Sequence, residues 1–201
     1  MTTTIAHLSI SLDGFVAGPE QSLEQPIGVG GLRLHQWHFD ADEPGHEASV
    51  PMRDELLERG DAYVMGRNMF GPIRGEWDES WRGWWGEEPP CHAPVFVLTH
   101  YPRASIEMAG GTTFHFVTEG LAVALQRAAE VAGDGVVDIA GGASTVRQAL
   151  AAGRLDELVL DLTPVLLGEG ERLFDGLTDP VLEPVEVVAT PWATHLRYRV
   201  G

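Results

Sequence analysis

The chain has 201 residues, 44% of them hydrophobic, and carries thirteen Lys and Arg against thirty Asp and Glu for a net charge of −17. That length and apolar content suit one domain with a substantial core. The acidic balance opposes a broad nucleic-acid footprint or attraction to an anionic membrane, so any phosphate site has to be local.

A single cysteine, Cys91, excludes an internal disulfide framework and a multi-cysteine zinc site. Residues 1–7 offer neither a basic n-region nor a long apolar run, so the expectation is a soluble cytoplasmic protein without a membrane span.

Residues 4–11 read as an opening strand that ends at the turn pair Asp13-Gly14, where Asp13 is expected to brace the turn through its carboxylate. Residues 19–31 have loop composition, and Leu32, Leu34 and Trp37 then give a short helix its apolar contacts. His35, His38, Asp40, Asp42 and His46 follow closely. Their spacing is looser than ordinary metal motifs, and the wall of a substrate pocket is the preferred reading over a metal site. Ser49 is a candidate helix cap with Pro51 in the first turn and Met52, Leu56 and Leu57 as the buried stripe.

Residues 62–65 form a predicted buried strand that runs into Gly66-Arg67-Asn68, a glycine at a strand end before a helix start. Residues 71–94 read as a loop insertion holding Trp77, Trp81, Trp84 and Trp85, which need the domain's own flank, a second subunit or a flat ligand to bury against. The strand at 95–98 exits through Thr99-His100-Tyr101-Pro102-Arg103, a hydroxyl, an imidazole and a guanidinium together. A strand at 114–117 and a helix from Gly120, lined by Leu121, Leu125, Ala128 and Ala129, lead to Gly141-Gly142.

Here a strand ends on two glycines, and a helix with Val146, Ala149 and Leu150 on one face begins at Ala143 or Ser144. Glycines let a ligand approach the main chain, and the helix points unpaired N–H groups and its positive dipole end at the turn. A phosphate fits such a place; an ordinary tight turn is the plain alternative. After a strand at 158–162 and a loop through Gly168 and Gly170, residues 185–189 and 194–200 frame a closing antiparallel hairpin. Alternating strands and helices before it imply a largely parallel sheet flanked by helices, with ligands outside the strand C-terminal ends.

Four stretches together carry a family resemblance: Ser11-Leu12-Asp13-Gly14-Phe15-Val16-Ala17-Gly18, Val64-Met65-Gly66-Arg67, Ile139-Ala140-Gly141-Gly142-Ala143-Ser144, and Leu155-Asp156-Glu157-Leu158 with residues 163–170 and Leu173-Phe174. They resemble the α/β dihydrofolate reductase-like fold across nearly the whole chain, and more specifically a stand-alone form of the reductase domain of bacterial riboflavin-biosynthesis deaminase-reductases.

The resemblance implies NADPH lying across the strand ends. Gly66, Arg67 and Asn68 would meet the pyrophosphate. Thr99 and His100, with Arg103, would sit by the adenosine 2′-phosphate. Gly141, Gly142, Ala143, Ser144 and Thr145 would hold the central phosphates, and Ala17 and Gly18 would close over the cofactor. Met69 stands where dihydrofolate reductases usually carry threonine. Asp40 is the choice for the substrate-side proton donor, and Cys91 alone cannot supply the deaminase zinc signature.

The implied activity is hydride transfer to a C=N or C=O bond of a small pterin- or pyrimidine-like substrate, in a homodimer. The alternative is a non-catalytic nucleotide- or ligand-binding protein on the same fold.

Overall fold

The computed structural model describes residues 1–71 and 73–201; Pro72, inside the predicted insertion, lies outside them. Its centre is a nine-stranded sheet built from β1 (Thr3–Ser11), β3 (Ala62–Gly66), β4 (Pro94–Leu98), β5 (Ile106–Glu107), β6 (Thr113–Val117), β7 (Val136–Gly141), β8 (Glu157–Thr163), β10 (Leu182–Ala189) and β11 (Thr194–Val200). The order is β10-β11-β8-β1-β7-β3-β4-β6-β5. The six strands from β8 to β6 are parallel, and β10, β11 and the short edge strand β5 are antiparallel to their neighbours. A two-stranded pair of β2 (Phe15–Ala17) and β9 (Glu171–Arg172) lies beside it, so a short strand follows directly on the predicted loop through Gly168 and Gly170.

The parallel strands form because their apolar runs are buried on both faces. One face packs on α4 (Leu121–Ala132) and α5 (Ala143–Ala151): Ala6, Leu8 and Ile10 of β1 meet Leu121, Ala124 and Ala128 of α4 and Val146, Ala149 and Leu150 of α5 in one core. On the other face Tyr63, Met65, Val95, Val97 and Phe114 gather around Phe70, and Trp77, Trp81 and Trp85 pack against them. The tryptophan-rich insertion thus buries much of its aromatic surface on the domain's own flank.

Two local expectations differ from the structure. Ser49 stands at the N-cap of α2 (Val50–Glu58), with Pro51 in the first turn, but its hydroxyl makes no capping bond. Met52, Leu56 and Leu57 are only half-buried, because α2 docks at the sheet's edge through ions. Arg197 of β11 pairs with Glu55 at 2.6 Å, and Arg59 bridges Glu55 and Glu157 at 2.5 and 2.7 Å. The closing hairpin matches its predicted alternation: Leu196, Tyr198 and Val200 pack on the core, while Val185 and Val187 of the edge strand β10 stay exposed. No helix among the described residues is long and apolar enough to cross a membrane.

Candidate active site at the strand ends

Two glycine turns meet at the C-terminal edge of the sheet. β3 ends at Gly66 and β7 ends at Gly141, with Met65 paired to Gly141 across a register shift. A Cβ on Gly66 would lie 2.8 Å from Thr145 Oγ1, so no larger residue fits between the turn and α5 without displacement. Gly141, at φ +128°, needs glycine for its backbone, and a Cβ there would lie 3.4 Å from Leu8 Cδ2. The backbone constraint of the turn falls on Gly141 alone: Gly142 is extended at φ −78°. A Cβ at Gly142 would have nothing within 4 Å, so its open side is where a ligand can approach.

Gly142 is the N-cap of α5, and among the described residues no side chain caps that helix. Its first N–H groups and dipole are therefore available to an anion. The helix after Gly66, α3 (Arg67–Phe70), is a single turn, so its contribution is backbone shape rather than a macrodipole.

The side chains predicted to line the cofactor are differently disposed. The Arg67 guanidinium lies 3.8 Å from the Trp77 ring centroid and donates to Glu76 O at 3.4 Å, while Asn68 donates to Gln21 Oε1 at 3.3 Å and accepts from Arg74. Both tie loops to the Gly66 turn. Thr99 closes its own turn, its Oγ1 accepting from Tyr101 N at 3.1 Å. Arg103 is buried: its Nη2 donates to Glu79 O at 2.9 Å and Trp81 O at 2.7 Å, anchoring the insertion, so that of Thr99, His100 and Arg103 it is His100 that stands exposed.

Ala17 and Gly18 are buried under the chain itself. Gly18 N donates to Ile27 O at 2.8 Å, and a Cβ on Gly170 would lie 2.1 Å from Ala17 O. This close packing holds the 11–18 segment between two loops. Asp13 adds the bracing expected of it, but over a long range: its carboxylate accepts from Leu167 N at 3.1 Å and Gly168 N at 2.7 Å as well as from the Ser11 hydroxyl. The Ser11 hydrogen bond, with those backbone donors, holds the Asp13 carboxyl down to about 2. Its contribution is thus full above about pH 4 and lost as pH falls through about 2. Asp13→Ala should speed hydrogen exchange at Leu167 and Gly168 at neutral pH; unchanged exchange there would rule out the brace.

Asp40 ends α1 (Gln36–Phe39), half-buried, accepting from Gln36 Nε2 at 2.5 Å. The side of α1 that meets the sheet is Trp37, fully buried, whose Nε1 donates to Ser9 Oγ at 2.9 Å. Among the described residues no three His, Cys, Asp or Glu are placed to hold a metal ion. His38 Nε2 faces His35 Nδ1 at 3.2 Å, Asp42 pairs with Arg53, and His46 receives Trp192 Nε1.

Sequence reasoning missed a set of buried polar residues beneath α1. Asp161 accepts from His195 Nδ1 at 2.7 Å and lies 3.0 Å from His7 Nε2. Burial pushes the Asp161 carboxyl up, but the His7 charge and the two imidazole hydrogen bonds outweigh this and lower it. The available signal was an acid or imidazole inside an otherwise apolar strand, as at His7, Asp138 and Asp161.

The chain matches the model of the RibD C-terminal domain over residues 2–196. A protein from Shewanella sp. PV-4 ascribed to riboflavin biosynthesis superposes with a TM-score of 0.63 at 25% identity, covering 99% of both chains. The bifunctional deaminase and 5-amino-6-(5-phosphoribosylamino)uracil reductase of Thermotoga maritima gives 0.57 at 14% identity, over all of this chain and 57% of that one. Dihydrofolate reductase from Enterococcus faecalis, solved with NADP(H), gives 0.52 at 16% identity over 99% of this chain and 96% of its own. No curated protein matches in sequence. The nine-stranded, mostly parallel sheet with its closing hairpin is thus dihydrofolate reductase-like, and the chain belongs to the RibD C-terminal domain family.

Proposed function

We propose that the protein is an NADPH-dependent reductase acting on a C=N or C=O bond of a small pyrimidine- or pterin-like heterocycle. Family membership and the fold support the reaction class. The observation that carries the cofactor is the uncapped N-terminus of α5 behind Gly142, whose open side adjoins the Gly66 turn.

When bound, the nicotinamide supplies hydride, and the protein's work is orientation and exclusion of water. The main chain of residues 142–144 would receive the central phosphates. Gly66, by admitting Thr145 without a side chain between them, keeps the two turns at contact distance. The 11–18 segment, braced through Asp13, would form the wall beside them. An open concavity lined by Asp54, Glu55, Arg59, Glu157 and Arg197 lies toward the N-terminal end of β8, and its charges are already paired.

At a net charge of −17 the protein repels a dinucleotide at long range, so preference for the extra 2′-phosphate must come from near contacts. With Arg103 anchored to the insertion, His100 is the side chain free to make one. Fluorescence titration should show NADPH binding tighter than NADH, and His100→Ala should weaken NADPH alone. Equal affinities in the parent, unchanged by the substitution, would remove this strand end from the site. NADPH bound but never oxidised across pterins and pyrimidine ribosylamines would instead favour the binding-protein reading.

We further propose a symmetric homodimer. The edge strand β10 leaves Val185 and Val187 51% and 64% exposed on a strand with a free edge. Light scattering at micromolar concentration should give twice the 21.8 kDa chain mass; a monomer would refute it.

A further inference from the structure

Four adjacent strands each place one fully buried ionisable side chain on the face of the sheet that α1 covers. In spatial order these are His195 on β11, Asp161 on β8, His7 on β1 and Asp138 on β7, all between 0 and 3% exposed. The first three are hydrogen-bonded in sequence, since Asp161 joins both imidazoles. Among the described residues Asp138 Oδ1 has no hydrogen-bond partner, and His7 is the group whose charge most offsets the burial of that carboxyl. Buried acids and imidazoles are costly in an apolar sheet, and placing them on consecutive strands makes their charges interdependent.

The row also touches α1. Trp37 packs edge-on against His195 with ring centroids 4.8 Å apart, while its indole N–H is spent on Ser9, two residues along β1 from His7. At the far side of His195, Nε2 lies 3.1 Å from Thr190 Oγ1, which also reaches Ala193 O at 3.1 Å. One hydroxyl proton cannot serve both acceptors. If His195 carries protons on both nitrogens, Thr190 accepts from it and donates to Ala193 O; if Nε2 is bare, Thr190 turns to donate there and Ala193 O loses this bond.

We propose that His195, Asp161, His7 and Asp138 act as one proton-sharing unit that seats α1 on the sheet, so that a proton gained or lost in the row alters how Trp37 is held. The inference rests on the buried row and not on the reductase reading. A change of proton occupancy adds or removes one proton at an imidazole or carboxyl and requires no other reactant.

The other charges facing the row enter the same balance. From α1 come His35, which burial and then the His38 charge push down to about 4, and His38, also lowered by burial. From the α2 side come Arg53, which acts on His38, with Glu55 and Arg59, which act on Asp138. Tyr63, paired with Asp138 on β3, is raised by burial and stays neutral, as does the Cys91 thiol, pushed up to about 12.

The test is an NMR titration of the histidine ring carbons and the Trp37 indole N–H, the latter assigned by its loss in Trp37→Phe, on the parent and on Asp138→Asn. In the parent, the Trp37 signal should move with the same midpoint as His7 or His195. Because an ionised Asp138 favours the charged imidazole, Asp138→Asn should lower the His7 midpoint by about 1 pH unit, and Trp37 should follow it. Asp161→Asn should separate the Trp37 midpoint from that of His7, leaving the ring contacts with His195 and His38 at 4.8 and 5.3 Å to move it; should that variant not fold, the Asp138→Asn comparison decides alone. A Trp37 signal that stays still while the imidazoles titrate, or His7 and His195 midpoints identical in parent and Asp138→Asn, overturns the proposal.

Discussion

Asp138→Asn is expected to raise the free energy of unfolding at pH 8 by about 4 kcal/mol, with the gain shrinking to nothing near pH 4. Asp138 is 2% exposed on a central strand, and burial pushes its carboxyl up from 3.8 to about 7. A raised carboxyl means that the folded protein holds a proton the unfolded chain has released between about pH 4 and pH 7. The parent therefore loses stability as pH rises through that window and stays at the lower level above it. Asparagine has nearly the same shape and no charge to desolvate, so the variant lacks this loss. The gap between 3.8 and about 7 corresponds to about 4 kcal/mol at about 1.36 kcal/mol per pH unit, an upper bound that native relaxation lowers. Urea unfolding of parent and variant at pH 5, 6, 7 and 8 checks both size and direction. A difference independent of pH would mean that Asp138 is ionised in the native protein throughout.

The fold was legible in the chain where local patterns suffice. The runs 62–65, 95–98 and 158–162 are continuous because parallel strands are buried on both sides, and the alternation through 194–200 reflects a strand with one apolar face on the core. The Gly141-Gly142 turn was legible because Gly141, at φ +128°, needs glycine whatever surrounds it.

What depended on distant partners was not legible. His7 lies 154 residues before Asp161 and His195 another 34 beyond it, and only the strand order brings them to one face. Nothing near Arg103 in sequence shows that its guanidinium is held against Glu79 and Trp81, since the path of residues 71–94 decides that. Likewise α2 carries an apolar pattern but docks through Glu55, and its true partner is Arg197 at the other end of the chain.

Gly142→Val should leave the fold intact and weaken NADPH binding by ~100-fold or more, about 2.7 kcal/mol. The two glycines of this turn separate backbone need from ligand space. Gly141 sits at φ +128°, so Gly141→Ala strains the chain itself and should lower stability whether or not a cofactor is present. Gly142 is extended at φ −78°, a region open to any residue, and a Cβ there meets no protein atom within 4 Å. A valine at that point costs the apoprotein within about 0.5 kcal/mol, as surface substitutions do. Its methyl groups would nevertheless stand in front of the first turn of α5, where the proposed phosphates need direct approach to N–H groups. Gly66→Ala offers the contrasting case, because its Cβ would press on Thr145 Oγ1 at 2.8 Å and disturb fold and site together. Thermal unfolding of the three variants alongside NADPH fluorescence titration separates the effects. A Gly142→Val protein that melts like the parent and still binds NADPH with parental affinity would show that the phosphates do not lie against this turn.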